Sequence, residues 1–339
     1  MLRLPKFELA RPRSIDEAVA LLVEAGPSAV VIAGGTDLVP NMKHELVTPE
    51  LVVSLAAIPG LRGIQGQDDG TLEIGAMTTL SEVAADERVR ARAPALAQAA
   101  SLVAGPQLRA MGTLGGNVLL DTRCQWINQS YFWRSALGFC LKKDGSVCHV
   151  VAGGAKCVAA ASNDSVPALM TLDAVLELEG PAGSAEVAIE DFWLADGICN
   201  KKLAPGTILT AVRIPPTAAG HRGAYGKLRE RGSIDFPLLG IAVRLDLEGG
   251  AVARADLVVT ALAAQPKRLE KAAELLLGTR PGSCDFDQAV EAAAALAYKQ
   301  CKPLPNIPGD AQWRREMLPV YVRRSLRAAA DGSGPVHHL

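Results

Sequence analysis

The placement of the cysteines is the feature that most constrains this chain. None occurs in the first 123 residues, and four of the seven then fall within 34 residues, at Cys124, Cys140, Cys148 and Cys157. The intervals of fifteen, seven and eight residues match neither the CxxC pairs of zinc ribbons nor the close run of small ferredoxins. Thiols packed as small apolar groups are the alternative, but the nearby glycines, lysines and Asp144 are unlike a buried core. The clustering predicts a metal site whose metal the spacing leaves open.

Aromatic and basic residues surround these cysteines. Five of the fourteen aromatic side chains fall in fourteen positions, at Trp126, Tyr131, Phe132, Trp133 and Phe139. Such rings can exclude water from a redox cluster and shift its potential, or they can form a small core that anchors the segment. The lysines near the cysteines can offset thiolate charge at an iron-sulfur or a zinc site alike: Lys142, Lys143 and Lys156. His149 is expected to lie outside the ligand set.

Length and composition indicate a globular protein with more than one subdomain. The chain has 339 residues, of which 49% are hydrophobic and 21% charged. A net charge of -1 provides no global positive field, so nucleic acid and anionic membranes are not expected partners. The sequence shows neither a secretory signal nor a spanning segment, which predicts a cytoplasmic protein. The odd number of cysteines argues against a complete disulfide framework, and the pattern assigns no role to Cys199, Cys284 and Cys301.

Short strands and helices alternate through the first two thirds of the chain. Ser14 and Glu17 predict a capping box that starts a helix over IDEAVALLVEAG. Buried strands are predicted at 29–32 and 50–55, hairpin strands within 61–80, and helices near Ser81 and over 93–101. Three further strand-like stretches between 172 and 214 end at Pro215-Pro216. The double proline predicts a domain boundary.

The sequence after this boundary predicts a small α+β domain over 216–328. Two alternating strands flank Gly249-Gly250, and a helix is expected from about Arg268 to Leu277. The last residues, 329–339, lack periodicity and predict a mobile tail. No Ser-His-Asp or Cys-His set is apparent, which favours chemistry supplied by bound cofactors.

Two paired-glycine segments are candidates for binding a phosphate group. The first is AGGTDL at 33–38, directly after a strand, and the second is TLGGN at 113–117. Consecutive N-H groups in such a turn can bind phosphate oxygens, and Thr36 can add a hydroxyl donor. Asp37 would repel a diphosphate, so we expect it to cap the following helix. Neither segment is a GxGxxG or GxxxxGK[ST] motif, and each alone is also compatible with a plain turn.

Together with PALMTLDA at 167–174, these motifs resemble the medium, FAD-binding subunit of the xanthine dehydrogenase and carbon monoxide dehydrogenase family. The resemblance covers nearly the whole chain. It implies an α+β protein with an FAD-binding fold of the vanillyl-alcohol-oxidase (PCMH) type over 1–215, in subdomains of about 1–56 and 57–215. It also implies a C-terminal α+β domain like that of the carbon monoxide dehydrogenase flavoprotein.

The same resemblance implies which residues contact the cofactor. Asp164 matches an acidic position near the ribityl or adenosine part of FAD, and Lys227 matches a cofactor-contacting lysine. A turn role for Asp164 and a solvated strand position for Lys227 are the alternatives. The FAD pyrophosphate is expected against two runs of residues: Val31, Ile32, Ala33, Gly34, Gly35, Thr36, Asp37 and Leu38, and Thr113, Leu114, Gly115, Gly116 and Asn117.

The cysteine-containing insertion, at about 121–160, is similar to that of the 4-hydroxybenzoyl-CoA reductase branch of this family. The similarity lies in DTRC, NQS, a Trp-Arg-Ser triplet, GFCLKKDG and VCHV. It implies that Cys124, Cys140, Cys148 and Cys157 hold a 4Fe-4S cluster. Electrons would then enter from ferredoxin, pass through the cluster and FAD, and remove the ring hydroxyl of an aromatic acyl-CoA.

The resemblance further implies partner subunits, which would supply the remaining cofactors. These are a large subunit with molybdopterin (Mo) and a small subunit with two 2Fe-2S clusters, in an (αβγ)2 heterohexamer. Two alternatives remain at this point. One is the FAD subunit of another molybdenum hydroxylase, which oxidises an aromatic or N-heterocyclic substrate and passes electrons outward. The other is a zinc-stapled flavin-binding protein.

Overall fold

The N-terminal subdomain contains a three-stranded parallel sheet with the order β1-β3-β2. In the computed structural model, which describes residues 2–337, Ser14 caps the first helix by accepting from the N-H of Glu17 at 3.2 Å. The Glu17 carboxylate accepts from Arg13 at 2.8 Å rather than from Ser14, so the predicted capping box is only half formed. The elements are β1 (Glu8–Ala10), α1 (Ile15–Ala25), β2 (Ala29–Ile32), α2 (Leu38–Lys43) and β3 (Leu51–Ser54).

The second subdomain is built on a five-stranded antiparallel sheet. Its strand order is β4-β5-β8-β6-β7. Helices α5 and α9 contribute buried alanine and leucine side chains to one core with this sheet, which Leu96 and Leu169 exemplify at 0% exposure. The elements are β4 (Ile64–Gly66), β5 (Leu72–Gly75), α3 (Leu80–Ala85), α4 (Glu87–Arg92), α5 (Pro94–Ser101), α6 (Pro106–Arg109), α7 (Leu114–Val118), α8 (Tyr131–Ala136), α9 (Ser165–Thr171), β6 (Val175–Gly180), β7 (Gly183–Ala188) and β8 (Ile208–Ile214).

The C-terminal domain packs helices against a four-stranded antiparallel sheet with the order β12-β11-β10-β9. The helix expected from about Arg268 is shorter than predicted, because Lys267–Arg268 forms a short edge strand instead. Strand β9 and helices α11 and α12 were not predicted. The elements are β9 (His221–Leu228), β10 (Leu239–Glu248), β11 (Ala251–Thr260), β12 (Lys267–Arg268), α10 (Glu270–Glu274), α11 (Cys284–Gln300) and α12 (Ala311–Asp331).

Within the segment predicted as a mobile tail, 329–339, the described residues include the last turn of a helix and a residue that pairs with the C-terminal sheet. Helix α12 continues to Asp331, and Val336 pairs beside β9, where its N-H donates to the carbonyl of Tyr225 at 3.0 Å. The N-H of Lys227 in turn donates to the carbonyl of Val336 at 2.8 Å. Because β9 is an edge strand, these bonds satisfy groups that would otherwise be unpaired. His338 and Leu339 lie outside the described residues.

Helix α12 is the longest helix of residues 2–337, at 21 residues, and it is rich in arginine. Within that same part of the chain, no helix has the length and apolar character needed to cross a membrane.

Candidate functional site

The turn after β2 requires both of its glycines, for different reasons. A Cβ at Gly34 would lie only 1.8 Å from the carbonyl oxygen of Met111, so a side chain there would collide with the backbone. Gly35 has a φ of +71°, a conformation that side-chain-bearing residues rarely adopt. The first glycine therefore permits close approach of two backbone segments, and the second forms the turn itself.

This turn exposes a run of backbone donors. In the described part of the chain, the N-H groups of residues 34–38 have no acceptor, whereas the N-H of Val39 donates to the carbonyl of Gly35 at 3.0 Å as α2 begins. Unsatisfied backbone donors need a partner, and consecutive ones form a concave site for anionic oxygens. The turn thus has the donor pattern expected of a phosphate-binding segment.

The second glycine segment was expected to form a turn between elements, but in the structure it forms the first turn of helix α7. Its N-H groups are already used: Leu114 donates to Thr78 O and Gly115 to Ala76 O, each at 2.9 Å. Thr113 caps the helix, because its hydroxyl accepts from the N-H of Gly116 at 3.1 Å. The segment therefore has few free hydrogen-bond donors for a ligand, and its contribution to a binding site is a surface without bulky side chains.

The two glycines of α7 also differ. A Cβ at Gly115 would lie 2.7 Å from the Cβ of Ala76, so this glycine lets the helix pack against the neighbouring chain. Gly116 is exposed, and a Cβ there would contact only the Thr113 hydroxyl, at 3.1 Å. Gly116 thus has the capping hydroxyl as its single close neighbour and leaves its outer face open to a ligand.

Both segments line one cavity of about 580 Å³. Ile32, Leu114 and Lys227 were predicted to contact a cofactor but do not line it, and Leu114 and Lys227 are fully buried at 0% exposure. The predicted residues that do line the cavity are Val31, Ala33, Gly34, Gly35, Thr36, Asp37, Leu38, Thr113, Gly115, Gly116, Asn117 and Asp164.

Asp164 is held in the cavity wall by a buried ion pair. Its carboxylate accepts from the Lys227 ammonium at 2.9 Å and from the Tyr225 hydroxyl at 2.8 Å. The Lys227 ammonium also donates to the carbonyl of Leu102 at 3.0 Å. Burial raises the pKa of Asp164 and lowers that of Lys227, and the attraction between the two opposes both shifts. Lys227 is therefore neither solvated nor in the cavity wall, and it acts by positioning Asp164.

The alternative turn role for Asp164 does not fit this geometry. Asp164 stands at the N-cap of α9, but its side chain makes no capping hydrogen bond. The side-chain oxygen of Asn117 instead accepts from the N-H of Ser165 at 3.0 Å and from its hydroxyl at 2.6 Å. Asn117 thus ties α7 to α9, and the Asp164 carboxylate is left for the ion pair.

Sequence reasoning missed Arg123, which belongs to the cysteine segment, residues of about 121–160, and contacts the helix that follows the glycine turn. Its guanidinium pairs with Asp37, donates to the side-chain oxygen of Asn41 at 3.3 Å, and lies 4.8 Å from the ring centre of Phe236. Burial lowers the pKa of Arg123 to about 10, so it remains charged at neutral pH. Its buried Nε atom has no protein acceptor among the described residues. Asp37 was expected to cap α2, but its side chain makes no capping hydrogen bond, because its carboxylate binds Arg123 and Asn41.

A loop of the C-terminal domain completes the wall of the cavity and was also missed. Ile234, Asp235 and Phe236 line the cavity, and Phe236 is 46% exposed. The loop is fixed to the second subdomain because Ser233 Oγ and the N-H of Ile234 both donate to the carbonyl of Ala104, at 3.0 and 3.2 Å. The cavity is therefore formed by all three structural units.

Three of the four clustered cysteines share a small core. Cys124 and Cys157 are buried with Ile127 and Ala159, and Cys140 packs against them. Burial raises the pKa of the Cys124 thiol to about 11, and the neighbouring cysteines add to this shift. All seven cysteines are free thiols. Within residues 2–337, no three His, Cys, Asp or Glu side chains form a preassembled metal-ion site.

The aromatic residues around this core differ in exposure. The ring of Trp126 packs against the cysteine core and lies 5.9 Å from that of Trp133 and 5.2 Å from that of His149, tilted to both. Phe132 is 82% exposed and excludes no water from them. Lys142 is held near Cys157, since its ammonium donates to Asp121, Thr122 and the carbonyl of Gly197 at 2.6 to 3.0 Å.

A glycine-lined cavity with free backbone donors, shared by a two-subdomain unit and a C-terminal α+β domain, is the arrangement expected of a protein that binds a phosphate-bearing cofactor. Comparison with known proteins identifies the family to which the chain belongs. Residues 5–217 match the family described as FAD binding domain in molybdopterin dehydrogenase, and residues 224–329 match the CO dehydrogenase flavoprotein C-terminal domain. The chain belongs to the family of FAD-binding medium subunits of molybdenum hydroxylases.

Relatives from bacteria match over most of their length. The carbon monoxide dehydrogenase medium chain of Afipia carboxidovorans is 34% identical over 95% of this chain and 96% of its own. The aldehyde oxidoreductase FAD-binding subunit PaoB of Escherichia coli is 35% identical over 78% of this chain and 84% of its own.

Solved structures agree with the sequence comparison. Carbon monoxide dehydrogenase from Hydrogenophaga pseudoflava is similar with a TM-score of 0.79 and 32% identity, over 98% of this chain and 100% of that chain. Quinoline 2-oxidoreductase from Pseudomonas putida 86 is similar with a TM-score of 0.76 and 25% identity, over 98% of this chain and 99% of that chain. The predicted fold class and the predicted family are thereby confirmed. The specific likeness to 4-hydroxybenzoyl-CoA reductase stays a prediction.

Proposed function

We propose that this chain binds FAD in the 580 Å³ cavity and transfers electrons between the flavin and the partner subunits of a molybdenum hydroxylase complex. The observation that carries the proposal is the run of free N-H groups at 34–38 beside the open face of Gly116, within a domain of the FAD-binding family. The residues present fit a pyrophosphate, because donors without acceptors and a side-chain-free surface are what its oxygens need.

Bound FAD would supply the chemistry, since a flavin exchanges one or two electrons. The chain's own residues bind and orient it. The N-H groups of 34–38 would hold the pyrophosphate, and Arg123 neutralises Asp37 beside them. The fixed carboxylate of Asp164 is suited to accept hydrogen bonds from hydroxyls of the ribityl or adenosine part.

The first test measures flavin directly. The purified protein is expected to carry about one FAD per chain, released by heat and identified by chromatography. A chain that neither retains nor takes up FAD, while FMN or no flavin is found, would contradict the proposal.

We also propose that Cys124, Cys140, Cys148 and Cys157 hold a 4Fe-4S cluster. Support comes from the core that Cys124, Cys140 and Cys157 share, the Trp126 ring packed against that core, and the ammonium of Lys142 near Cys157. Iron-sulfur clusters require thiolate ligands, and nearby positive charge offsets their negative charge. Four iron and four acid-labile sulfide per chain are expected from anaerobic purification. Zinc without sulfide would favour the zinc-stapled alternative.

The partners and the direction of electron flow form the last part of the proposal. Relatives named carbon monoxide dehydrogenase, aldehyde oxidoreductase and nicotinate dehydrogenase favour a complex that oxidises its substrate and passes electrons outward. The large subunit would carry molybdopterin and the small subunit two 2Fe-2S clusters, in an (αβγ)2 heterohexamer. The mass of the isolated complex tests this assembly.

The second candidate is the reductive, ferredoxin-linked reaction of a 4-hydroxybenzoyl-CoA reductase-like complex. The cysteine insertion at about 121–160 is the observation that favours it. The two candidates differ in what reduces the flavin of the isolated complex. Bleaching by reduced ferredoxin, together with loss of the ring hydroxyl from an aromatic acyl-CoA, supports the reductive candidate. Bleaching by an aldehyde or an N-heterocycle supports the oxidative one.

A further inference from the structure

The cysteine segment holds helix α2, whose start carries the free donors of the glycine turn. At the beginning of α2, Arg123 pairs with Asp37 and donates to Asn41. Arg123 directly precedes Cys124. The side chain of Arg123 therefore connects the cysteine segment to the first turn of α2.

The other end of α2 is held by Arg134, whose guanidinium is 2% exposed. Its Nη2 atom donates to the carbonyls of His44 and Glu45, each at 3.0 Å, and its Nε atom donates to Gln129 O at 3.3 Å. His44 is the C-cap of α2 and Glu45 follows it, so these bonds hold the chain at the point where the helix ends. Arg134 does not line the 580 Å³ cavity.

Apolar packing joins the same two regions. Leu46, three residues after α2, packs against the core that contains Cys124 and Cys157. A smaller cavity of about 120 Å³ is lined both by Asn41 and Leu46 and by residues of the cysteine segment. Helix α2 thus lies between the glycine turn and the cysteine core, with contacts to both.

We propose that Arg134 is a positioning residue through which the folded cysteine segment strengthens FAD binding, with α2 as the connecting element. The inference rests on the proposed FAD site. A helix of six residues has little stability of its own, so α2 depends on contacts at its ends. If Arg134 is removed, α2 and the turn before it gain conformational freedom. FAD binding must then order them, which lowers affinity.

The expected size follows from the usual range of coupling between two sites. Such coupling changes an equilibrium affinity by about 5- to 150-fold. Arg134 acts from the far end of α2, so we expect Arg134→Ala to raise the Kd for FAD by roughly tenfold. Arg134→Lys keeps the charge and one donor group, and its Kd is expected to lie between those of the wild type and Arg134→Ala.

Arg315 offers a matched control in the C-terminal domain. Its guanidinium lies 4.2 Å from the ring centre of Tyr298 and donates to Tyr298 O at 3.5 Å. Arg134 likewise combines its carbonyl contacts with a ring, since its guanidinium lies 5.7 Å from the ring centre of Tyr131. Arg315 does not line the cavity. Arg315→Ala should lower stability without changing the Kd for FAD.

The experiment titrates FAD into the deflavinated full-length chain and follows quenching of flavin fluorescence, with Tm recorded for every variant. Failure of the wild type to bind FAD would refute the proposed function itself. Wild-type binding with an unchanged Kd in Arg134→Ala would overturn only the coupling, as would equal weakening in Arg315→Ala. If Arg134→Ala does not fold, Arg134→Lys decides: a severalfold higher Kd supports the coupling, and a wild-type Kd overturns it.

Discussion

Substitutions at Gly115 and Gly116 should separate folding from flavin binding at adjacent positions. A Cβ at Gly115 would lie 2.7 Å from Ala76 Cβ and 2.9 Å from Ala76 O, so the added methyl must displace packed backbone. Overpacking of this kind costs about 1–3 kcal/mol of stability. We expect Gly115→Ala to lower the free energy of unfolding by that amount.

Gly116→Leu should weaken FAD binding and leave folding nearly unchanged. Its Cβ lies 3.1 Å from the Thr113 hydroxyl and meets no other group, and its outer face opens into the cavity, so the loss of stability should stay below about 1 kcal/mol. A ligand of the size of FAD gains roughly 0.3 kcal/mol per non-hydrogen atom. If the leucine displaces about five such atoms, the loss is roughly 1.5 kcal/mol, or about tenfold in Kd.

Two assays separate these effects. Urea unfolding followed by circular dichroism gives stability in the absence of flavin, and fluorescence titration gives the Kd for FAD. The predicted pattern is weakened folding for Gly115→Ala and weakened FAD binding with normal folding for Gly116→Leu. A Gly116→Leu protein that binds FAD as tightly as the wild type would refute the assignment of α7 to the cofactor site.

Three further predictions concern other parts of the site. Lys227→Met leaves the Asp164 carboxylate buried with only Tyr225 as donor and should cost about 3–5 kcal/mol at neutral pH, measured by urea unfolding. Loss of the ammonium raises the pKa of Asp164 further. A raised pKa in the folded state contributes stability that is present at low pH and is lost as the pH rises. The loss of stability in Lys227→Met should therefore be smaller at pH 5 than at pH 8. Cys148→Ser should lower iron and acid-labile sulfide together while FAD stays bound at reduced affinity; unchanged iron would remove Cys148 from the ligand set. Phe236→Ala should speed FAD release in stopped-flow measurements with little change in Tm, because the half-exposed ring covers the cavity rather than the core.

Local sequence patterns predicted the parts of the site that depend on backbone conformation. The strand at 29–32 and the glycine turn after it follow from β-branched residues that stop at Gly34-Gly35, and the structure places both there. The TLGGN segment shows the limit of this reasoning. Paired glycines usually end a helix, but a threonine N-cap and the close approach of Ala76 start one here.

Side chains whose partners are distant in sequence could not be predicted. Lys227 meets Asp164 across 63 positions, and nothing in YGKLRERG indicates that its ammonium is fully buried. Phe236 reaches the cavity only because a loop of the C-terminal domain is fixed to Ala104. A single aromatic residue within the polar segment RERGSIDFPL was the signal available in the sequence.

The position of Asp37 illustrates why the glycine turn and the cysteine segment have to be considered together. A carboxylate beside a pyrophosphate site is unfavourable by itself, because like charges repel. The structure removes this difficulty with Arg123, which neutralises Asp37 from the side and keeps a buried Nε atom without a protein acceptor. Since Arg123 belongs to the segment that begins the cysteine cluster, the charge balance at the proposed flavin site depends on how that segment folds. On the proposed assignment, the insertion contributes to the FAD site through Arg123, in addition to any metal that it holds.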